Sequence, residues 1–180
     1  MTIFTKTGQL AVMLTLAATQ AQAHATLETP KAQVGANYKA VMRVSHGCAG
    51  SPTLRVRVRI PDGFIGVKPM PKPGWTLETM RAPYGKTYDT QHANLTEGVR
   101  EISWSGGRLP GDWYDEFVFI GTIASDLKPG STLYFPTVQD CETGAERWIE
   151  IPAEGANAHD LKGAAPGLKL LPTEQTQHQK

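Results

Sequence analysis

The feature that most constrains the fold is one strictly alternating segment, Thr53–Ile60, with the sequence TLRVRVRI. In an extended chain, one face would carry the apolar side chains Leu54, Val56, Val58 and Ile60. The opposite face would carry the arginines Arg55, Arg57 and Arg59. Because successive strand side chains point to opposite faces, the pattern predicts a strand with one buried face and one solvated face. The arginine row is also compatible with an anion-binding stripe, but the net charge of +1 favours a solvated sheet face.

The rest of the chain is also typical of short strands. It has 18 glycines and 13 prolines, which favour turns, and no segment shows a sustained helical period. The other predicted strands are 24–31, 38–44, 64–67, 75–81, 99–105, 114–124, 131–138 and 147–151, with a polar, poorly patterned segment at 82–98. Eight or nine short strands predict an all-β fold, an antiparallel β-sandwich that is immunoglobulin-like in outline.

The beginning of the chain has the pattern of a secretory signal peptide. Lys6 supplies a positive charge, and Leu10–Ala18 is an apolar run too short to span a bilayer. An A-x-A site at 21–23 predicts cleavage after Ala23, which divides the chain into a signal peptide (1–23), a β-sandwich domain (24–152) and a mobile C-terminal tail (153–180). We therefore expect a periplasmic or extracytoplasmic protein.

Cleavage after Ala23 would make His24 the first residue of the mature protein. The α-amine and Nδ1 of an amino-terminal histidine can chelate one metal together, and nitrogen donors of this kind favour Cu(II). A second A-x-A site, Ala23–Ala25, would leave Thr26 first and remove this candidate ligand. The alternative interpretation of His24 is a boundary residue without a role.

The two cysteines, Cys48 and Cys141, predict a disulfide in an oxidising compartment. A copper site built on cysteine is the alternative, but the chain has no C-x-x-C motif. A disulfide requires its two segments to meet, which would bring His46 close to Trp148 and Glu150. Taken singly, these three residues are equally compatible with a turn cap, a core tryptophan and a solvated charge.

Several motifs occur in order along residues 24–152. They are HATLETPKA at 24–32, the R-V-x-H-G-C corner at 43–48, Ser51-Pro52-Thr53, RVRIP at 57–61, Gly74-Trp75, and Cys141 followed by RWIEIP at 147–152. This series resembles the YcnI-like copper-binding domain family. The resemblance implies an exported β-sandwich that binds Cu(II) at its processed amino terminus.

The resemblance also implies roles for individual residues. In the family's better-known form, a "monohistidine brace" holds copper beside a carboxylate and a tryptophan, which assigns the histidine role to His24 and the tryptophan role to Trp148. Where the carboxylate is expected, this chain has His46, so a two-histidine ligand set is the alternative. The indole nitrogen is only a hydrogen-bond donor and therefore a poor metal ligand, so Trp148 would cover the ion with its π-face. Glu150 would orient His24 or His46.

Three functions follow as hypotheses. The first is a copper carrier or chaperone that is not an enzyme and exchanges Cu(II) with a copper-accepting or copper-donating protein. The alternative is a histidine-brace copper monooxygenase acting on a polysaccharide, for which the sequence shows no clear aromatic platform. The third is a sandwich that binds another protein and no metal. The net charge of +1 gives no indication of nucleic-acid binding, and under the first hypothesis no polysaccharide is expected.

Overall fold

The computed structural model describes residues 25–90, 93–153 and 155–173. The predicted signal peptide, Met1–Ala23, and His24 lie outside these residues. Within them, the regular structure is twelve strands and one 3₁₀ turn at Ala158–Asp160. The strands are β1 Thr26–Leu27, β2 Lys31–Gln33, β3 Asn37–Val44, β4 Thr53–Arg59, β5 Phe64–Pro69, β6 Thr76–Asp89, β7 Asn94–Leu109, β8 Asp115–Ile123, β9 Thr132–Tyr134, β10 Thr137–Cys141, β11 Ala145–Trp148 and β12 Gly167–Leu171.

The strands form three sheets around one main core. Their orders are β1-β3-β8-β5, β11-β10-β4-β7-β6, and β2-β12-β9. The main core combines side chains from all three sheets, for example Phe117 of β8, Trp104 of β7 and Leu168 of β12. This arrangement confirms the prediction of an all-β sandwich. In the described part of the chain, no helix is long and apolar enough to cross a bilayer.

The alternating segment forms β4 as predicted, with one local exception. Val56 and Val58 are fully buried, and Ile60 just beyond the strand is buried with them. At the start of β4 the pairing with β10 shifts by one residue, from Arg55 opposite Asp140 to Thr53 opposite Cys141, and the buried side chain is Thr53 rather than Leu54. A β-bulge accounts for this exception, because one extra residue exchanges the two faces.

The segment 82–98, for which the sequence predicts no strand, belongs mostly to a long hairpin formed by β6 and β7. Its far half packs Tyr84 and Tyr88 into a small second cluster with Ile65 and Ala124. The remaining side chains of this part of β6 are largely exposed. An arm that buries so few residues lacks the alternation that marks a core strand, which is why the prediction missed it.

Two predicted strands are each divided between two sheets. The predicted strand 24–31 separates at Pro30: β1 pairs with β3, whereas β2 pairs in parallel with β12. The predicted strand 131–138 separates at 135–136, so that β9 joins β12 and β10 joins β4. Proline cannot donate to a ladder, and each change of sheet occurs at or beside a proline.

The predicted boundary at residue 152 is wrong, because the chain beyond it contributes to the core. Leu168 and Leu170 of β12 are almost fully buried, and β12 is the central strand of the third sheet. Leu168, Leu170 and Leu171 are a weak signal in an otherwise polar segment, yet Leu168 and Leu170, two residues apart, fill one strand face. The part of the predicted mobile tail at 167–171 is therefore folded, and residues 174–180 lie outside the described residues.

Candidate metal site

The candidate site lies where β3 ends and the described chain begins. In the antiparallel pair β1–β3, Thr26 is opposite Arg43 and Leu27 is opposite Met42. Ala25, which is 4% exposed, therefore lies beside Val44, the last residue of β3. The chain then enters the corner 45–51. The first described residue and this corner thus share one end of the four-stranded sheet.

The corner is closed by the predicted disulfide, which is confirmed. Cys48 and Cys141 are bonded, with 6.0 Å between their Cα atoms. The Gly47 N–H donates to the carbonyl of Gly111 at 2.9 Å. A Cβ on Gly47 would come within 1.9 Å of the Ser51 carbonyl oxygen. Only glycine fits there, so the backbone after His46 is held by a covalent bond and by close packing.

The imidazole of His46 has a defined orientation. Its Nδ1 lies 2.5 Å from the Gly47 carbonyl oxygen. Because a carbonyl can only accept, Nδ1 carries the proton, and the lone pair of the neutral ring is on Nε2. That is the tautomer in which a histidine can bind a metal through Nε2. His46 is only partly buried, so solvent reaches part of the residue.

Trp148, at the end of β11, packs against His46. The two ring centroids are 6.5 Å apart and the planes meet at 86°, an edge-to-face contact. Trp148 is 7% exposed and belongs to the main core, together with Ala25 and Val44. The structure therefore brings His46 and Trp148 together at the end of the sandwich where Ala25 lies.

Glu150 has a different environment from Trp148. The strand β11 ends at Trp148, and Glu150 forms an isolated bridge with Ala164. Its carboxylate accepts from the backbone N–H of Gly163 at 3.3 Å, and its side chain is exposed. This hydrogen bond connects the chain just after β11 to the segment before β12. The sequence did not indicate Gly163 as the partner of Glu150.

One residue at the site was not predicted at all. Gln139 of β10 is 2% exposed, and its Nε2 donates to the His46 carbonyl at 2.5 Å and to Thr53 Oγ1 at 2.7 Å. A signal existed in the sequence: Gln139 is two residues before Cys141, whose side chain must point inward to form the disulfide. Strand periodicity places both on the same face.

The rim of this end also carries two exposed aromatic side chains. Trp113 is 63% exposed and Tyr114 is 62% exposed. They follow Gly111, the residue that accepts the hydrogen bond from Gly47. By contrast, Trp104 is fully buried, and Trp75 packs in edge-to-face contact with Phe117. Of the tryptophans without a predicted role, Trp113 is therefore the one that solvent reaches beside the corner.

The described residues do not contain a complete metal site. Across residues 25–90, 93–153 and 155–173, no three His, Cys, Asp or Glu side chains come together in a group that could hold an ion. The predicted ligand His24 lies outside these residues. What the described part offers is one imidazole nitrogen of His46 and the indole ring of Trp148 beside it.

Comparisons with known proteins agree with this fold. A crystal structure of an uncharacterized protein from Nocardia farcinica, described as having an immunoglobulin-like fold, is similar with a TM-score of 0.58. It is 23% identical, and the alignment covers 82% of this chain and 98% of that one. No curated protein matches this chain. A family described as "Domain of unknown function (DUF1775)" matches residues 24–170. The chain therefore belongs to this family, which is the YcnI-like family.

Proposed function

We propose that this protein is an exported Cu(II)-binding protein that acts as a copper carrier or chaperone. In this proposal, cleavage after Ala23 frees the α-amine of His24, and the amine and Nδ1 chelate the ion. His46 supplies a third nitrogen through Nε2, and Trp148 covers the ion with its indole ring. Copper is then the cargo of the protein, and the protein carries out no reaction on it.

The observation that carries the proposal is the position of His46 and Trp148 at the point where the described chain begins. Ala25 belongs to the same core cluster as Val44 and Trp148, so the proposed ligand His24 is joined directly to a residue at this end of the sandwich. In the proposed site, the His24 imidazole binds the same ion as Nε2 of His46.

The donor set fits Cu(II) better than harder ions. Among the divalent first-row metals, Cu(II) binds imidazole and amine nitrogens most tightly, whereas Mg²⁺ and Ca²⁺ prefer several oxygen ligands. The one carboxylate of the predicted set, Glu150, accepts a hydrogen bond from the Gly163 N–H. We therefore infer a two-histidine ligand set, with no protein carboxylate on the ion. A site with few protein ligands at the end of a sandwich suits exchange with a copper-donating or copper-accepting protein.

Titration with Cu(II) tests the proposal. The mature protein should take up one Cu(II) per chain, and His46→Ala should bind at least 10-fold more weakly, since one nitrogen ligand is lost. His92→Ala is the matched control, because it removes a histidine of the polar segment 82–98, which contains none of the predicted ligands. Equal affinities of His46→Ala and His92→Ala would remove His46 from the ligand set.

One observation favours a second candidate, the copper monooxygenase acting on a polysaccharide. Trp113 and Tyr114 are exposed beside the corner that carries His46, and sugar rings commonly stack on such side chains. Incubating the copper-loaded protein with ascorbate and a polysaccharide separates the two functions. Oxidised sugar well above the yield with free copper would favour the enzyme, and a yield equal to that of free copper would favour the carrier.

A further inference from the structure

A buried amide joins three parts of the molecule behind the candidate site. Gln139 lies on β10, between β4 and β11, and is 2% exposed. Its Nε2 is 2.5 Å from the His46 carbonyl oxygen, 2.7 Å from Thr53 Oγ1 and 3.9 Å from Cys141 Sγ. An amide nitrogen carries two hydrogens, and the two short contacts account for both.

Burying an amide costs free energy unless its polar atoms are hydrogen-bonded, so a buried glutamine indicates a specific hydrogen-bonding role. The main chain of the corner is held on one side by Gly47, through its bond to Gly111, and by the bridge at Cys48. The His46 carbonyl and the Gly47 N–H belong to the same planar peptide, so the bond from Gln139 and the bond to Gly111 hold this plane from its two sides. The Gln139 amide thus supplies the side-chain hydrogen bond to the peptide that follows the His46 Cα, next to the point where the imidazole is attached.

We propose that Gln139 is the positioning residue that holds the His46 imidazole against Trp148 and ready for copper. The inference deepens the proposed function and rests on it for its copper-binding consequence. With its carbonyl fixed by Gln139 and its Nδ1 fixed by Gly47, the ring has one orientation, and Nε2 is presented in one direction. The restraint lowers the entropy that the ligand loses when it binds the metal.

Two variants remove the two N–H donors and keep approximately the volume of the side chain. They are Gln139→Leu and Gln139→Met, and the flexible methionine is the milder change. The matched control is Thr137→Val, because Thr137 is fully buried on the same strand and its hydroxyl donates to Phe135 instead of to the corner. The control therefore removes a buried hydrogen bond of β10 without releasing His46.

The first readout is the NMR contact between the His46 and Trp148 rings in copper-free mature protein. We expect the cross-peak between the rings to be lost in both Gln139 variants and kept in Thr137→Val. The second readout is copper. Cu(II) affinity should fall about 10- to 100-fold in the Gln139 variants, with a changed hyperfine pattern in the EPR spectrum, whereas Thr137→Val should match the wild type.

The outcomes separate this inference from the proposed function. If His46→Ala binds Cu(II) as well as the wild type, the proposed ligand set fails, and the copper-free cross-peak alone decides the role of Gln139. If a folded Gln139→Leu or Gln139→Met protein keeps the cross-peak, the inference is overturned. It is also overturned if Thr137→Val loses the cross-peak to the same extent, because removal of a β10 hydrogen bond that does not involve His46 would then have the same effect.

Discussion

Replacing both cysteines with alanine should destabilise the fold by about 2 to 5 kcal/mol. The bridge joins residues that are 93 positions apart, and the chain-entropy model gives about 4.7 kcal/mol for a closed loop of this size. That value is an upper figure, because native strain and residual structure in the unfolded chain reduce it. Loss of packing around Cys48, which is 5% exposed, acts in the same direction as loss of the bridge.

Urea denaturation of the double variant Cys48→Ala/Cys141→Ala, followed by tryptophan fluorescence, measures this loss. With a slope of about 2 kcal/mol per molar urea, the midpoint should fall by roughly 1 to 2.5 M. Met80→Ala is the control, since Met80 is 54% exposed and should leave the midpoint unchanged. A loss below about 1 kcal/mol in the double variant would refute the reasoning, because the bridge would then constrain neither the unfolded chain nor the corner.

Three further predictions concern the sandwich itself. Trp104→Phe should cost about 1 to 3 kcal/mol in chemical denaturation, because its indole N–H donates to the Met70 carbonyl at 3.1 Å from a fully buried ring. Leu170→Ala should cost about 2 to 5 kcal/mol by the same assay, since Leu170 of β12 is 1% exposed; a value near zero would show that this segment is not part of the core. Burial, together with the charge of Glu28, raises the pKa of Tyr38 to about 12. Since that pKa is above its usual value near 10, the stabilisation is complete below pH 10 and is lost as the pH rises to about 12. Denaturation at about pH 9 and about pH 11.5 should therefore show a loss of stability that Tyr38→Phe reduces.

The sequence predicts the sandwich because the core strands carry their own signals. The alternation of β4 marks its inward face, and the apolar run 114–124 predicts β8, which lies between β3 and β5. The arm formed by β6 and β7 and the last strand, β12, were missed for a common reason. Each buries only a few side chains. These side chains are held by contacts with segments that are distant in sequence, which no local pattern shows.

The candidate site could be predicted only in part. The disulfide requires two segments to meet, so the sequence alone is enough to place His46 and Trp148 in one neighbourhood. Gln139 could not be found by searching for metal ligands, because its role is to bond a backbone carbonyl. Likewise, the partner of Glu150 depends on the path of the chain at 163–165, which no local pattern indicates.

Cu(II) EPR of two forms of the protein tests the central claim most directly. One form begins at His24 after correct export, and the other carries one additional residue before His24. We expect a nitrogen-rich signal at one copper per chain in the first form, lost or clearly changed in the second, because the extension removes the free α-amine. Identical spectra of the two forms, or no specific binding in either, would contradict it.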